Sequence, residues 1–322
     1  MKRLVLFAAF DKDGVVDDYV VHYVKALSEF AQVIYVADNE MKAGELEKLS
    51  PFVLKAFAAH HGEYDFGSYK RAFAYAKECG LLAECDELIL CNDSVYLVHN
   101  SLAELVEKFS EAAVWGAFKH EATKDFSQHL QSWFLALKKE AFSRPEFERF
   151  LLGVTKQPDK QSVILNYEVG LSALLCSLGF ELNALADSSA AFYPHENLPV
   201  FAAEALLSRL DFPFLKTSVL KHQLIGVSEF HDIICNIKCD KTLVLNHFLR
   251  VNGDTQFVAT KLPKFSIGLG SVQLFSRYTP QRKYRVLLCV GDRHRKLFSF
   301  SFKIPAFLYE DLVSLTKRIL QN

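Results

Sequence analysis

Three stretches place acidic side chains where chemistry is often done. In FDKDGVVDD, residues 10–18, an apolar run over 4–10 leads into Asp11-Lys12-Asp13-Gly14, and a second acidic pair, Asp17-Asp18, follows. Asn92-Asp93 comes directly after the apolar LILC of 88–91, and Glu168 stands in NYEVG near the start of a long helix-like stretch. Aspartates just beyond a buried strand serve phosphoryl transfer, hold cations or grip a polar ligand. Calcium is excluded for the first stretch. An EF-hand loop needs an oxygen ligand at its fifth position, glycine at its sixth and glutamate at its twelfth. Counted from Asp11, those positions hold Val15, Val16 and His22.

These residues need a frame to hold them. Residues 3–10 read as a buried strand, and Asp17 or Asp18 caps a helix running to about Phe30, with Tyr19, Tyr23, Val24 and Leu27 along one face. QVIYVA (32–37), VLKAFAAH (53–60), DELILC (86–91), AAVWGAF (112–118), SWFLALK (132–138) and FELNAL (180–185) read as further strands. Helix-like stretches at 42–50, 67–79, 101–110 and 161–178 separate them. This alternation predicts an α/β fold with a mostly parallel sheet, in which ligands bind beyond the carboxyl ends of the strands. Asp11, His60-His61 and Asn92-Asp93 all fall at such ends, so the pattern predicts that they converge.

After residue 230 the character changes. TLVLNHFLRV, TQFVATKL, FSIGLGSVQLFSRY, YRVLLCVG and LFSFSFKI read as strands, and LYEDLVSLTKRIL as a closing helix. From Asp232 onward there are 15 Lys and Arg against 6 Asp and Glu, a net +9. The whole chain holds 37 and 38, so residues 1–231 hold 22 and 32, a net −10. Two domains are expected: 1–230, and a smaller basic, β-rich 231–322 with a final helix. Such a basic face meets anionic headgroups or phosphates, or is simply solvated.

Half of the residues are hydrophobic and 23% are charged, a globular composition rather than a disordered one. No apolar run approaches the ~20 residues of a membrane-spanning helix. The apolar run after Lys2-Arg3 is too short for the core of a signal peptide. Seven scattered cysteines fit reduced thiols. A cytoplasmic location is expected.

Six motifs occur in order: DKDGVVDDYVVHYVKAL (11–27), GEYDFGSYKRA (62–72), DELILCNDSVYLV (86–98), VWGAF (114–118), HLQSWFLALKKEAF (129–142) and NYEVGLSALLCSLGFEL (166–182). Together they resemble the rhamnan synthesis protein F family of polysaccharide-assembly glycosyltransferases, over roughly residues 4 to 220. The resemblance implies a GT-A-like, Rossmann-type sheet that binds a nucleoside-diphosphate sugar. It implies transfer of a sugar, rhamnose or another hexose, to a lipid-linked polysaccharide acceptor. The membrane surface would be met through the basic C-terminal region, with no nucleic acid as partner, and the enzyme would lie at the inner face of the cell membrane.

On this reading the donor side comprises Asp11, Gly62, Asp65, Lys70, Arg71, Asn92 and Asp93. Asp93, the only carboxylate where such enzymes carry a D-x-D motif, is the candidate ligand for Mg2+ or Mn2+. Glu168 takes the place of the base that an inverting transferase needs, and His129, Gln131 and Trp133 line the acceptor side. His195, in YPHENLP, is a minor candidate. Two alternatives compete. FDKDG also resembles the opening of haloacid-dehalogenase phosphatases, with Asp11 as nucleophile and Asp13 as general acid/base. A non-catalytic glycan-assembly module is the other. Separately, His231, Cys235 and Cys239 have the i, i+4, i+8 spacing of one helix face, which suits a soft metal.

Overall fold

The computed structural model describes residues 1–122, 127–188, 197–221 and 227–252, and four strands between 267 and 305. It divides into two compact units, Met1–Val219 with Ile233–Gly253, and Leu220–Asp232 with Asp254–Asn322.

The first unit is built on a mixed sheet of eight strands. Its parallel half comprises β1 (Arg3–Ala9), β2 (Gln32–Ala37), β3 (Lys55–Ala58) and β4 (Glu87–Asn92), in the order β3-β2-β1-β4. β5 (Val95–Leu97) leaves this sheet. β6 (Val114–His120), β7 (His129–Leu130), β8 (Phe134–Lys138) and β9 (Asn183–Asp187) complete it. β8 runs antiparallel between β4 and β6, and β9 lies parallel to β6. The α/β class read from the sequence is thus the one observed, with an antiparallel insertion.

Burial on both faces explains why these strands read as unbroken apolar runs. Successive side chains of a strand point to opposite faces. Leu4, Leu6 and Ala8 join a core containing Phe66, Tyr69 and Phe73 of α2 (Tyr64–Glu78). On the other face Phe7 stacks on Tyr35, with ring centres 5.5 Å apart, and meets the edge of Tyr23 of α1 (Asp18–Ser28).

α3 (Lys160–Val163) begins a longer helical run. The Asp159 carboxylate caps it by accepting from the Ser162 N–H at 2.8 Å. Residues Ile164–Val169 then widen into a π-helix before α4 (Gly170–Ser177). β10 (Phe214–Lys216) pairs antiparallel with β5.

TLVLNHFLRV, read as a strand, is helical: it lies in α5 (Lys241–Asn252) and buries Val244, His247 and Phe248. An apolar run of that length fits either element until packing decides. The stretch 42–50 forms only a short 3-10 turn at Leu46–Leu49.

In the second unit β11 (Ile267–Leu269), β12 (Val272–Thr279), β13 (Lys283–Gly291) and β14 (Lys296–Pro305) form an antiparallel sheet. The expected closing helix and TQFVATKL lie outside the described residues. Among the described residues no helix is long and apolar enough to cross a membrane.

Candidate active site

Beyond the carboxyl ends of the parallel strands, side chains staple each loop to the next. The Asp93 carboxylate, after β4, accepts the Phe10 N–H at 2.8 Å. Asn39, after β2, accepts the Asp11 N–H at 3.1 Å. Asp38 accepts from the N–H groups of His61 and Gly62 at 2.6 and 2.8 Å. The strand-end residues therefore do line one edge of the sheet. Asp38 obeys the same rule, an acid just past a buried strand, and was not singled out from the sequence. Gly62 sits at φ +68°, a left-handed conformation that glycine tolerates.

The Asp11 carboxylate is held within its own loop. One carboxylate oxygen accepts the N–H groups of Asp13 and Val15, and the other accepts from Arg250 of α5. Arg250 also binds Asp13 at 3.0 Å, and its Nε reaches Asp17 at 2.8 Å. The acidic opening stretch is an anion-rich loop folded around one guanidinium of its own chain. Asp11, expected on the donor side, is thus tied into its own loop, as is Asp13, the general acid/base of the phosphatase reading.

Lys70 and Arg71 are likewise committed, both to Glu63. Lys70 donates to it at 3.0 Å and to the Val154 carbonyl at 2.6 Å, while Arg71 donates to it and to the Gly67 carbonyl. Both expected phosphate contacts thus carry intramolecular partners in the fold.

The cluster that does form joins Asp65, Asn92, Asp93, Ser94, Ser132, Glu168 and Lys216. The Asn92 amide donates to Asp65 at 2.8 Å and accepts the Ser94 hydroxyl at 2.6 Å. Lys216 donates to that hydroxyl at 3.1 Å. One oxygen of Glu168 accepts both the N–H and the hydroxyl of Ser132, each at 2.7 Å. Its other oxygen has no hydrogen bond among the described residues. Glu168 falls in the π-helix, a local widening that recurs at functional sites.

Charges in the cluster feel one another. Burial raises the Asp65 carboxyl above the usual range, and Glu168 adds to this; Lys160, Lys216 and the Asn92 amide oppose it. Burial pushes the Lys216 amine down to about 8, against the pull of Glu168, Asp65 and Asp93. Burial also pushes His120 down to about 4, helped by its neighbour His129, whose ring stacks on it at 5.1 Å.

Trp133 is 2% exposed. It packs edge-on to Phe214 with ring centres 5.3 Å apart, and the Lys216 ammonium lies 5.0 Å from its ring centre. Trp133, expected on the acceptor side, is thus largely enclosed by protein. Gln131 and His129 are buried as well: Gln131 accepts the Trp133 indole N–H and His129 bonds the Ser127 carbonyl.

A divalent cation at Asp93 does not fit the residues present. Asp93 is the only carboxylate at 91–94, one of its oxygens holds the Phe10 N–H, and both ends of the Asn92 amide are engaged. Among the described residues no three His, Cys, Asp or Glu side chains gather for a metal. The zinc face fails for a local reason: the helix Val227–Asn236 ends before Cys239. His195 lies outside the described residues.

A doubly covered sheet with a polar cluster at its strand ends defines an α/β protein of the class in which ligands bind in the crevice at those ends. The sequence profile of the family described as rhamnan synthesis protein F matches residues 33–267, nearly three quarters of the 322 residues. The chain belongs to this family. No curated protein matches it significantly. Among solved structures it is similar to a 4-diphosphocytidyl-2C-methyl-D-erythritol synthase, at 15% identity and TM-score 0.37, over 57% of this chain and 89% of that one. S. aureus TarS residues 1–349, in complex with UDP, follows at 9% identity and TM-score 0.33, over 47% and 54%. Core-mannan synthase A from Aspergillus fumigatus, in an Mn/GDP form, has 8% identity and TM-score 0.28, over 47% and 62%. Likenesses this distant carry no functional argument, which rests on the family and the site.

Proposed function

We propose that this protein is a glycosyltransferase of polysaccharide assembly that moves a sugar, rhamnose or another hexose, from a nucleoside-diphosphate donor to a lipid-linked glycan, with inversion. The observation that carries the reading is Glu168. Two donors from Ser132 fix one of its oxygens, and the other remains for a proton, beside Asp65 and Lys216. A base aimed by its neighbours is what an inverting transfer requires. The acceptor hydroxyl gives its proton to Glu168 as its oxygen bonds to the sugar's C1. The bond from C1 to the diphosphate oxygen breaks, and its electron pair leaves with the diphosphate.

The enzyme works in the cytoplasm, at the inner face of the cell membrane. Arg277, Arg285 and Lys303 stand at one register position across β12, β13 and β14. The net +9 of the residues from Asp232 onward supports contact with an anionic headgroup surface.

The test is a thermal-shift panel of nucleoside diphosphates and nucleotide sugars. A bound donor at a hundredfold excess over Kd adds about 2.7 kcal/mol of stability. No shift with any of them refutes the reading.

A further inference from the structure

A nucleotide sugar brings a charged diphosphate, and further negative charge develops on it as the glycosidic bond breaks. A transferase must meet that charge with something positive. The place at 91–94 that would hold a cation lacks its ligands, and Lys216 stands there instead. We propose that Lys216 contacts the donor's diphosphate and supplies the positive charge that a metal ion would otherwise bring, so that donor binding needs no divalent cation. This rests on the glycosyltransferase reading above.

The position of Lys216 is set by backbone. β10 pairs Lys216 with Val95, and the Thr217 N–H binds the Ser94 carbonyl at 2.9 Å. The segment carrying Lys216 is thus tied to the residues directly after Asp93. An ammonium has three N–H donors. One reaches the Ser94 hydroxyl at 3.1 Å, and the Trp133 ring, 5.0 Å away, supports the group. Donors remain for phosphate oxygens. Of the carboxylates around it, Asp93 is drawn toward the Phe10 N–H and Asp65 toward the Asn92 amide, which spreads part of their charge over neutral donors. Lys160, exposed at the start of α3, is a second cation within range of Lys216 and Asp65.

The experiment is calorimetric titration of the full chain with UDP, GDP, CDP and dTDP, in EDTA and then in excess MnCl2. At least one of them is expected to bind in EDTA with the Kd it shows in Mn2+. Lys216→Met is expected to weaken that binding by about 10–100-fold, the worth of a hydrogen bond to a charged group. Lys216→Arg is expected to recover part of the loss, and the matching nucleoside, which lacks phosphates, to bind wild type and Lys216→Met alike. Binding that requires Mn2+, or a folded Lys216→Met that binds as wild type does, overturns the lysine assignment and leaves the transferase reading standing. Binding of none of these, with or without Mn2+, and of none of their sugars, removes both. The comparison of EDTA with Mn2+ uses the wild type alone, so it decides even if the methionine variant does not fold.

Discussion

Glu168→Gln separates catalysis from architecture at the centre of the site. In the wild type the Glu168 carboxylate accepts two hydrogen bonds from Ser132. Glutamine keeps the size and one acceptor oxygen, so both bonds can persist, now to a neutral group. Charged hydrogen bonds exceed neutral ones by about 1 kcal/mol each. Glu168 is only half-buried, so a loss of about 1–2 kcal/mol is expected after screening, or about 2–8 °C in Tm. Catalysis loses more: general base assistance contributes ~10²–10⁴-fold, about 3–5 kcal/mol of barrier. Donor affinity is expected to hold near pH 6.5, where Lys216 remains charged even without the supporting charge of Glu168. The assay is single-turnover transfer of labelled sugar, from a donor chosen by the binding panel, to native membranes bearing lipid-linked glycans. Tm is measured on the same preparation. A normal rate with a small fall in Tm refutes the base assignment and passes it to Asp65.

Three more perturbations test the surroundings. Asp11→Asn removes a carboxylate that Arg250 and two loop N–H groups share, so Tm is expected to fall by the equivalent of about 1–3 kcal/mol. p-Nitrophenyl phosphate hydrolysis is expected to be absent before and after; robust turnover in the wild type, abolished by the substitution, restores the phosphatase reading. Asp93→Ala frees the Phe10 N–H and loosens the join between the β1 and β4 loops. Calorimetry is expected to show weaker nucleotide-sugar binding to the same extent with and without Mn2+, and unchanged affinity moves the donor site elsewhere. The Lys216 amine, at about 8 in the fold against an ordinary 10.5, sets two opposite pH trends. Diphosphate affinity is expected to be full below about 8 and to fall above it. Stability without ligand is expected to rise from about pH 8 to 10.5, because the unfolded chain there holds a proton that the folded one does not. Lys216→Met is expected to lose both trends, and a pH-independent wild-type Kd across this range contradicts the assignment.

The first of those substitutions bears on a resemblance that misleads locally. FDKDG has the letters of a phosphatase nucleophile loop, yet its aspartates are gathered by an arginine 239 positions away from Asp11. No pattern within the loop announces that partner.

What the sequence determined alone is what local chemistry encodes. Strands buried on both faces must be continuously apolar, so β1, β2, β4 and β8 were legible, and with them the edge where Asp11, His60-His61 and Asn92-Asp93 gather. The family was legible too, because its motifs keep their order along the chain. The same motif order singles out Glu168 as a candidate, while its hydrogen bonds from Ser132 are visible only in the fold. What the tertiary structure decided is every role set by a distant partner. Glu63 pairs with Lys70 and Arg71. Phe214 and Lys216 pack against Trp133. Packing made 241–252 a helix, since an apolar run with valine and leucine suits either element until a surface receives it. Lys216 sits in an unremarkable PFLKTS; only the pairing of β10 with β5 carries it 122 positions back to Ser94. Local propensity is a property of neighbours in sequence, whereas charge and burial depend on neighbours in space.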